Sequence, residues 1–333
     1  MARSPRILFV SAFETPFIRA DLDFFRSQYD VTPSVGHGTL HLLSVLLNVF
    51  GADVVFAWFA SVYGAVAVLW GAFLGKKTIL QLGGVDMAND PGSGYGTWTS
   101  RWKSALIGRA LRMADYVLVV DPGLGEEAKV RAGYEGGNIE LLETRFHSSR
   151  WTPAGVKERV VVSVAAVSDE ARIHIKGIDT LLRAAKRLPD VQFHVIGIRK
   201  RMRERLTVPE NVRIDGESSQ DEVLDAFRRA KVYCQPSRRE GLSNALCEAM
   251  LCECIPVATD VGGSRRAVGE TGFLVPPDDP SALADALLRA LIVPDEQGRS
   301  SRERIIHMFP EGKRDTRLRQ LIEEEGPSSA DSR

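Results

Sequence analysis

Short apolar runs, each followed by an amphipathic stretch of helical length, recur along this chain in two series. The first opens at RILFVSA, residues 6–12, which predicts a buried parallel strand, then a loop over Phe13–Ile18 and a polar helix near Ala20–Gln28. From Val54 to Gly75 there is no charged residue, a length that a hydropathy scan would read as a membrane span. The internal pattern argues against that. VVFAWF after Asp53 has strand composition, Ala60-Ser61 interrupts it, Val62–Leu74 predicts a buried helix, and Lys76-Lys77 leads into a strand at Thr78–Leu82. A helix over Thr97–Met113, a strand and helix after Ala114, and a strand from Asn138 close the series.

At Lys157 the period restarts. Arg159–Ala165 predicts the first strand of a second sheet, Ile175–Leu182 the opening of a helix, and Gln192–Gly197, Asn211–Ile214 and Val232–Gln235 further strands, with a helix at Ser219–Ala230. After Pro236 comes SRREGLSNALCEAM, a small-residue turn (Gly241, Ser243, Asn244) before an Ala/Leu/Met-rich helix. Strands at Ile255–Ala258 and Gly272–Val275 enclose the Gly262-Gly263 turn, and an amphipathic helix runs to Leu291. Helices are expected about Arg302–Met308 and Lys313–Glu324. The fold class is therefore α/β, with two Rossmann-like open parallel sheets: residues 1–150, residues 151–310, a last helix within 311–325 and a disordered tail over 326–333.

Composition narrows the partners. At 333 residues the chain can bury two cores, and its 43 basic and 43 acidic residues cancel, so no global field recruits nucleic acid or an anionic membrane, and only local patches are left to do so. Cys234, Cys247, Cys252 and Cys254 form no C-x-x-C pair and have no histidine nearby, as expected of buried thiols in a reducing cytosol. Arg3 and Arg6 precede only the short run Ile7–Val10, which is not a signal-peptide pattern, and a cytoplasmic location is expected. Asp21-Leu22-Asp23 does not suit a metal ion, because carboxylates two apart on a helix diverge by about 200°; no metal site is expected. Trp98, Trp102, Lys103, Arg109 and Arg112 can mark a membrane-surface face, though a half-buried, half-solvated helix is the preferred reading. Pro91–Gly96 lacks the spacing of a phosphate loop, and no Gly-x-Gly-x-x-Gly follows the first strand, which argues against a dinucleotide enzyme.

The chemistry concentrates after Pro236. Glu240 falls on a loop and Glu248 on the following helix, at most about 12 Å apart. Each ionised carboxylate can accept two hydroxyl protons of a ribose or hexose. Between them the first-turn N–H groups of a helix suit a diphosphate. The plain alternative is a pair of solvated, dipole-favoured glutamates. Gly84 and Asp86 end a strand where open α/β sheets put ligands, and a turn cap accounts for Asp86 equally well. The basic run Arg199–Arg203 also begins at a strand's carboxyl end.

From Pro236 to Leu291 the chain resembles glycosyltransferase family 4, including its signature of two glutamates separated by seven residues. Lys176-Gly177 matches the family's phosphate-gripping step, Ala114–Leu142 resembles the end of its first domain, and Thr144–Pro153 its interdomain linker. The resemblance implies the GT-B arrangement, two domains facing across a cleft, with the last helix returning to the first. It implies a retaining, metal-independent transfer from a UDP- or GDP-linked sugar, with no cofactor, to a saccharide or lipid-linked acceptor, and it leaves peripheral association with the inner membrane face open. In this resemblance Glu240 serves the donor sugar and Lys176 the departing diphosphate. Glu248 serves the ribose, Gly177, Gly241, Leu242, Ser243 and Asn244 the rest of the donor, and Gly84 and Asp86 the acceptor side. Departures are Glu14–Phe17 for a glycine-rich loop, Gly83 for a histidine, Ala166–Ser168 for a Gly-Arg step and Arg266 for a glutamate. They keep two other readings in view: a non-catalytic sugar-nucleotide-binding subunit and a sugar-nucleotide epimerase.

Overall fold

The computed structural model describes residues 3–90, 92 and 95–324, which divide into two compact units: one drawn from Met1–Arg145 and Gly312–Arg333, the other Phe146–Glu311. The first unit alternates β1 (Arg6–Ser11), α1 (Pro16–Gln28), β2 (Asp30–Val35), α2 (Thr39–Gly51), β3 (Val54–Trp58), α3 (Val62–Phe73), β4 (Lys77–Leu82), α4 (Arg101–Met113), β5 (Tyr116–Val119), α5 (Pro122–Ala132) and β6 (Ile139–Leu141). Its strands pair in parallel in the order β2-β1-β3-β4-β5-β6. β3 is buried at every position, as a strand covered on both faces must be, and this explains the charge-free stretch without a membrane. Among the described residues no helix is long and apolar enough to cross a membrane.

Three local expectations shift. Helix α1 starts at Pro16, a residue preorganised for a first helical turn, and so absorbs half of the expected loop. The helix expected from Thr97 starts at Arg101, behind a single 3-10 turn at Thr97–Thr99. Residues 30–51, unassigned above, form β2 and α2. β2 is a polar edge strand carrying Pro33, and α2 has apolar side chains on its exposed face as well as its buried one, so neither shows the apolar-in, polar-out period that flags an element. Part of the expected Pro91–Gly96 loop lies outside the described residues.

The second unit runs β7 (Glu158–Val167), α6 (Glu170–Ile175), α7 (Ile178–Lys186), β8 (Gln192–Ile198), α8 (Lys200–Arg203), β9 (Val212–Ile214), α9 (Gln220–Arg229), β10 (Ala230–Gln235), α10 (Asn244–Leu251), β11 (Ile255–Thr259), α11 (Ser264–Val268), β12 (Phe273–Val275), α12 (Pro280–Ile292) and α13 (Glu296–Met308). Its parallel sheet has the order β12-β11-β10-β7-β8-β9. The order reverses between β7 and β10, where open α/β sheets bind ligands at the strands' carboxyl ends. Phe146 packs against Phe309 and Trp151 against Phe227, so the stretch read as a linker is built into this unit.

The chain returns to the first unit as α14 (Lys313–Glu323). Its Leu318, Leu321 and Ile322 join Phe9, Phe25, Phe56 and Trp58 in one core cluster. Arg314 is buried there. It donates to both oxygens of Asp21 (2.8 and 2.6 Å), to Gln81 Oε1 (2.9 Å) and to the Glu143 carbonyl (2.9 Å). Arg145 Nη1 and Trp58 Nε1 also donate to Asp21, each at 2.7 Å. Burial would raise the Asp21 carboxyl, but the two arginines hold it below its usual range.

Candidate donor site

The site is assembled at the carboxyl end of β10. Its last residue, Gln235, is buried, and its amide takes part in four hydrogen bonds. Nε2 donates to Ser237 Oγ (2.6 Å) and Glu240 Oε1 (3.0 Å); Oε1 accepts from Tyr233 Oη (2.9 Å) and Ser243 Oγ (2.8 Å). Ser237 Oγ donates to the same Glu240 oxygen at 2.8 Å. Lys176 Nζ completes the set at 2.5 Å from it. Three donors thus converge on Oε1, while among the described residues none donates to Oε2. A carboxylate held on one oxygen keeps the other for an incoming hydroxyl.

Lys176 reaches this position through its neighbour. α6, capped by Asp169, ends at Ile175, and Gly177 then turns left-handed (φ 64°) before α7. A Cβ at Gly177 would lie 1.8 Å from the Pro236 carbonyl oxygen, so only glycine lets this turn press on the loop after β10. On the other side a Cβ at Gly262 (φ 51°) would lie 2.1 Å from the Glu240 carbonyl oxygen, and Gly263 N donates to the Gly241 carbonyl at 2.7 Å.

Arg238 fastens the two loops together. Its N–H donates to the Ile175 carbonyl (2.8 Å) and its guanidinium binds both oxygens of Asp179 (2.7 and 2.8 Å) as well as Asp278. Burial would lower this guanidinium's pKa, but the bonds to Asp179 and Asp278 outweigh that and raise it. Sequence reasoning missed Gln235, Ser237, Tyr233 and Arg238. A glutamine closing an apolar strand was the available signal, because a buried amide must find partners.

Glu248 lies on α10 and is only partly exposed. Its carboxylate makes no hydrogen bond to another described residue, and burial, opposed weakly by Arg150, pushes its pKa up to about 7. At the start of α10, Ser243 accepts from Leu246 N (3.3 Å), so one first-turn N–H is already capped. Gly241 and Leu242 are buried, and Asn244 opens the helix.

The remaining predicted residues are placed as follows. Asp86 is buried and accepts from the backbone N–H groups of Ala60 (3.2 Å), Gly83 (3.2 Å) and Gly84 (2.8 Å), with burial raising its pKa. This is a cap, and Gly84 (φ 119°) is part of the capped turn. Arg172 lies beside Asp169, and Arg199 pairs with Glu217 at 2.7 Å. All four cysteines are buried and outside any disulfide. Among the described residues no cluster of three His, Cys, Asp or Glu is placed to hold a metal ion.

Residues 158–292, the segment that contains this site, match the family Glycosyl transferases group 1. TuaC of Bacillus subtilis, named for teichuronic acid biosynthesis, is 26% identical over 71% of this chain and 61% of its own length. A phosphatidyl-myo-inositol mannosyltransferase of Mycobacterium tuberculosis is 34% identical over 34% of this chain and 33% of its own. The chain thus spans less than two thirds of these relatives. Among solved structures, sucrose-phosphate synthase of Thermosynechococcus elongatus superposes with a TM-score of 0.76 at 17% identity, covering 96% of this chain and 98% of that one. Anabaena HepE in complex with UDP and glucose superposes at 0.78 and 13%, covering 97% and 100%. These likenesses establish the fold as GT-B.

Proposed function

We propose a reaction for this chain, whose residues 158–292 match the group 1 glycosyl transferases: transfer of a sugar from a nucleoside diphosphate sugar to a saccharide or lipid-linked acceptor, with retention and without a metal ion. The observation that carries it is the convergence of Lys176, Gln235 and Ser237 on one oxygen of Glu240. That geometry fixes a carboxylate with one open oxygen beside a cation. The open oxygen takes hydroxyl protons of the donor sugar, and Lys176 lies next to where the diphosphate gathers charge as it leaves. The start of α10 adds its dipole to the same charge, so cation and helix together supply the stabilisation that a divalent ion provides elsewhere.

Glu248, eight residues on, is assigned to the ribose, whose hydroxyls would give its carboxylate the partners it lacks. Relatives named for a phosphatidyl-myo-inositol mannosyltransferase and for teichuronic acid biosynthesis support a glycan or lipid-linked acceptor, and the HepE complex with UDP and glucose supports the donor class.

The test is calorimetric binding of UDP and GDP without divalent metal, together with transfer assays on the same preparations. One nucleotide should bind, and Glu248→Ala should weaken it about tenfold or more. Glu240→Gln should keep that affinity while lowering turnover roughly a hundredfold. If both variants lose binding equally, the division of roles is wrong; if neither nucleotide binds wild type, the donor-site reading fails.

A further inference from the structure

The second unit has a cavity of about 190 Å³ at the amino ends of β7, β10 and β11, the edge of the sheet away from the donor site. Five charged residues line it: Lys157, Lys231, Glu253, Asp295 and Arg299. Lys157 Nζ donates to the carbonyls of Phe227 (2.8 Å) and Cys252 (2.6 Å), near the ends of α9 and α10, and Lys231 pairs with Asp295 at 3.3 Å. The other two are not engaged. Neither the Glu253 nor the Arg299 side chain has a hydrogen bond or ion pair to a described residue, and they do not pair with each other.

Glu253 is also strained where it stands. It closes α10 in a left-handed turn (φ 63°), its N–H donating to the Met250 carbonyl (2.9 Å) and that of Cys254 to the Ala249 carbonyl (3.0 Å). Glycine is the usual residue in a helix-ending turn of this kind, because it takes the conformation without a Cβ clash. α13 holds the turn in place: a Cβ at Gly298 would lie 2.4 Å from the Glu253 carbonyl oxygen. The backbone conformation suits glycine, and no contact within the fold uses the carboxylate. A strained residue whose charged side chain is left unpaired on a cavity wall marks a binding site.

The two unpaired groups select what fits between them. A guanidinium only donates and a carboxylate only accepts, so the ligand must offer both an acceptor and a donor. Their charges cancel, which favours a neutral ligand, whereas a phosphate would set its charges against Glu253 and Asp295. Pro153, Val156 and Ile255 supply an apolar part of the wall. We propose that this cavity binds a small zwitterion, a free α-amino acid with an aliphatic side chain. Its carboxylate forks onto Arg299 and its ammonium meets Glu253. The inference goes beyond the sugar-transfer reading, and none of these residues belongs to the donor site.

The experiment is titration calorimetry of the full chain with L-valine, with isovalerate, which lacks the ammonium, with isobutylamine, which lacks the carboxylate, and with inorganic phosphate. L-Valine should bind at a Kd of about 1 mM or tighter. Each of the two analogues should bind about tenfold more weakly or worse. Glu253→Gly and Arg299→Met should each weaken valine about tenfold or more. Glu253→Gly, freed of its strained turn, should also melt about 2–4 °C above wild type, so its loss of binding is not misfolding. UDP and GDP calorimetry on both variants should match wild type, which separates this outcome from failure of the donor site. The proposal is overturned if valine gives no saturable heat, if either analogue binds as well as valine, or if Glu253→Gly keeps wild-type affinity. Phosphate binding in place of valine would overturn it too, and make the cavity an anion site.

Discussion

Gln235 shows how much of a site can rest on a residue that carries none of its chemistry. Its amide holds Glu240 by one oxygen and ties Ser243 and Tyr233 to the same centre. Gln235→Leu would leave those groups without their partner in a buried place, and a loss of about 2–3 kcal/mol in denaturant unfolding is expected, with turnover falling as well. Wild-type stability in that variant would remove the amide from its central role. Glu248 gives a second prediction, from its carboxyl raised by burial to about 7. A raised carboxyl stabilises the fold below its unfolded value near 4.5, and that contribution disappears as pH rises through about 7. Glu248→Gln should therefore gain thermal stability relative to wild type between about pH 5 and about pH 8. Nucleotide affinity of the wild type should weaken below about pH 7, where the carboxylate takes up a proton, while the Gln variant stays flat.

At the scale of elements, the donor site depends on a turn pressed against a loop. Gly177 and Arg238 hold α6 and α7 to the segment after β10, and Lys176 travels with them. Gly177→Ala would meet the Pro236 carbonyl and an unfavourable backbone conformation together, with an expected cost of about 2 kcal/mol or more. Arg238→Met should speed amide exchange through residues 175–180 and weaken binding of a diphosphate more than that of the nucleoside. Equal loss for both ligands would mean that the pin does not act through Lys176.

Across the whole molecule, the first unit is closed by a helix from the far end of the chain. Asp21 and Arg314 sit in its core with Arg145, Trp58 and Gln81 as partners, so removing Arg314 leaves the buried Asp21 to Arg145 alone, and removing Asp21 leaves Arg314 without a countercharge. Arg314→Met should destabilise this unit by about 3–5 kcal/mol, and Asp21→Leu with Arg314→Met by much less, because the pair disappears together. A double variant as damaged as the single would show that the packing of α14, not the ion pair, is what was lost.

The sequence by itself determined the architecture. Buried parallel strands must be written as continuous apolar runs and crossover helices as amphipathic stretches, so two sheets, and the Glu240–Glu248 pair after a strand end, were legible from local pattern. Local pattern fails where the period fails. The apolar α2 and the polar edge strand β2 escaped it, and α1 began earlier than its polar residues suggested. Tertiary structure alone decided which groups meet. Lys176 and Glu240 are far apart in sequence, and nothing in either neighbourhood states that Gly177 will press on Pro236 and bring them together. Asp86 looked the same in sequence whether it faced a ligand or capped a turn; only the three backbone N–H groups around it show that it caps. Covalent order dictates periods, whereas pairing of side chains across strands and turns is settled by packing, where each buried polar group must find its partner in space.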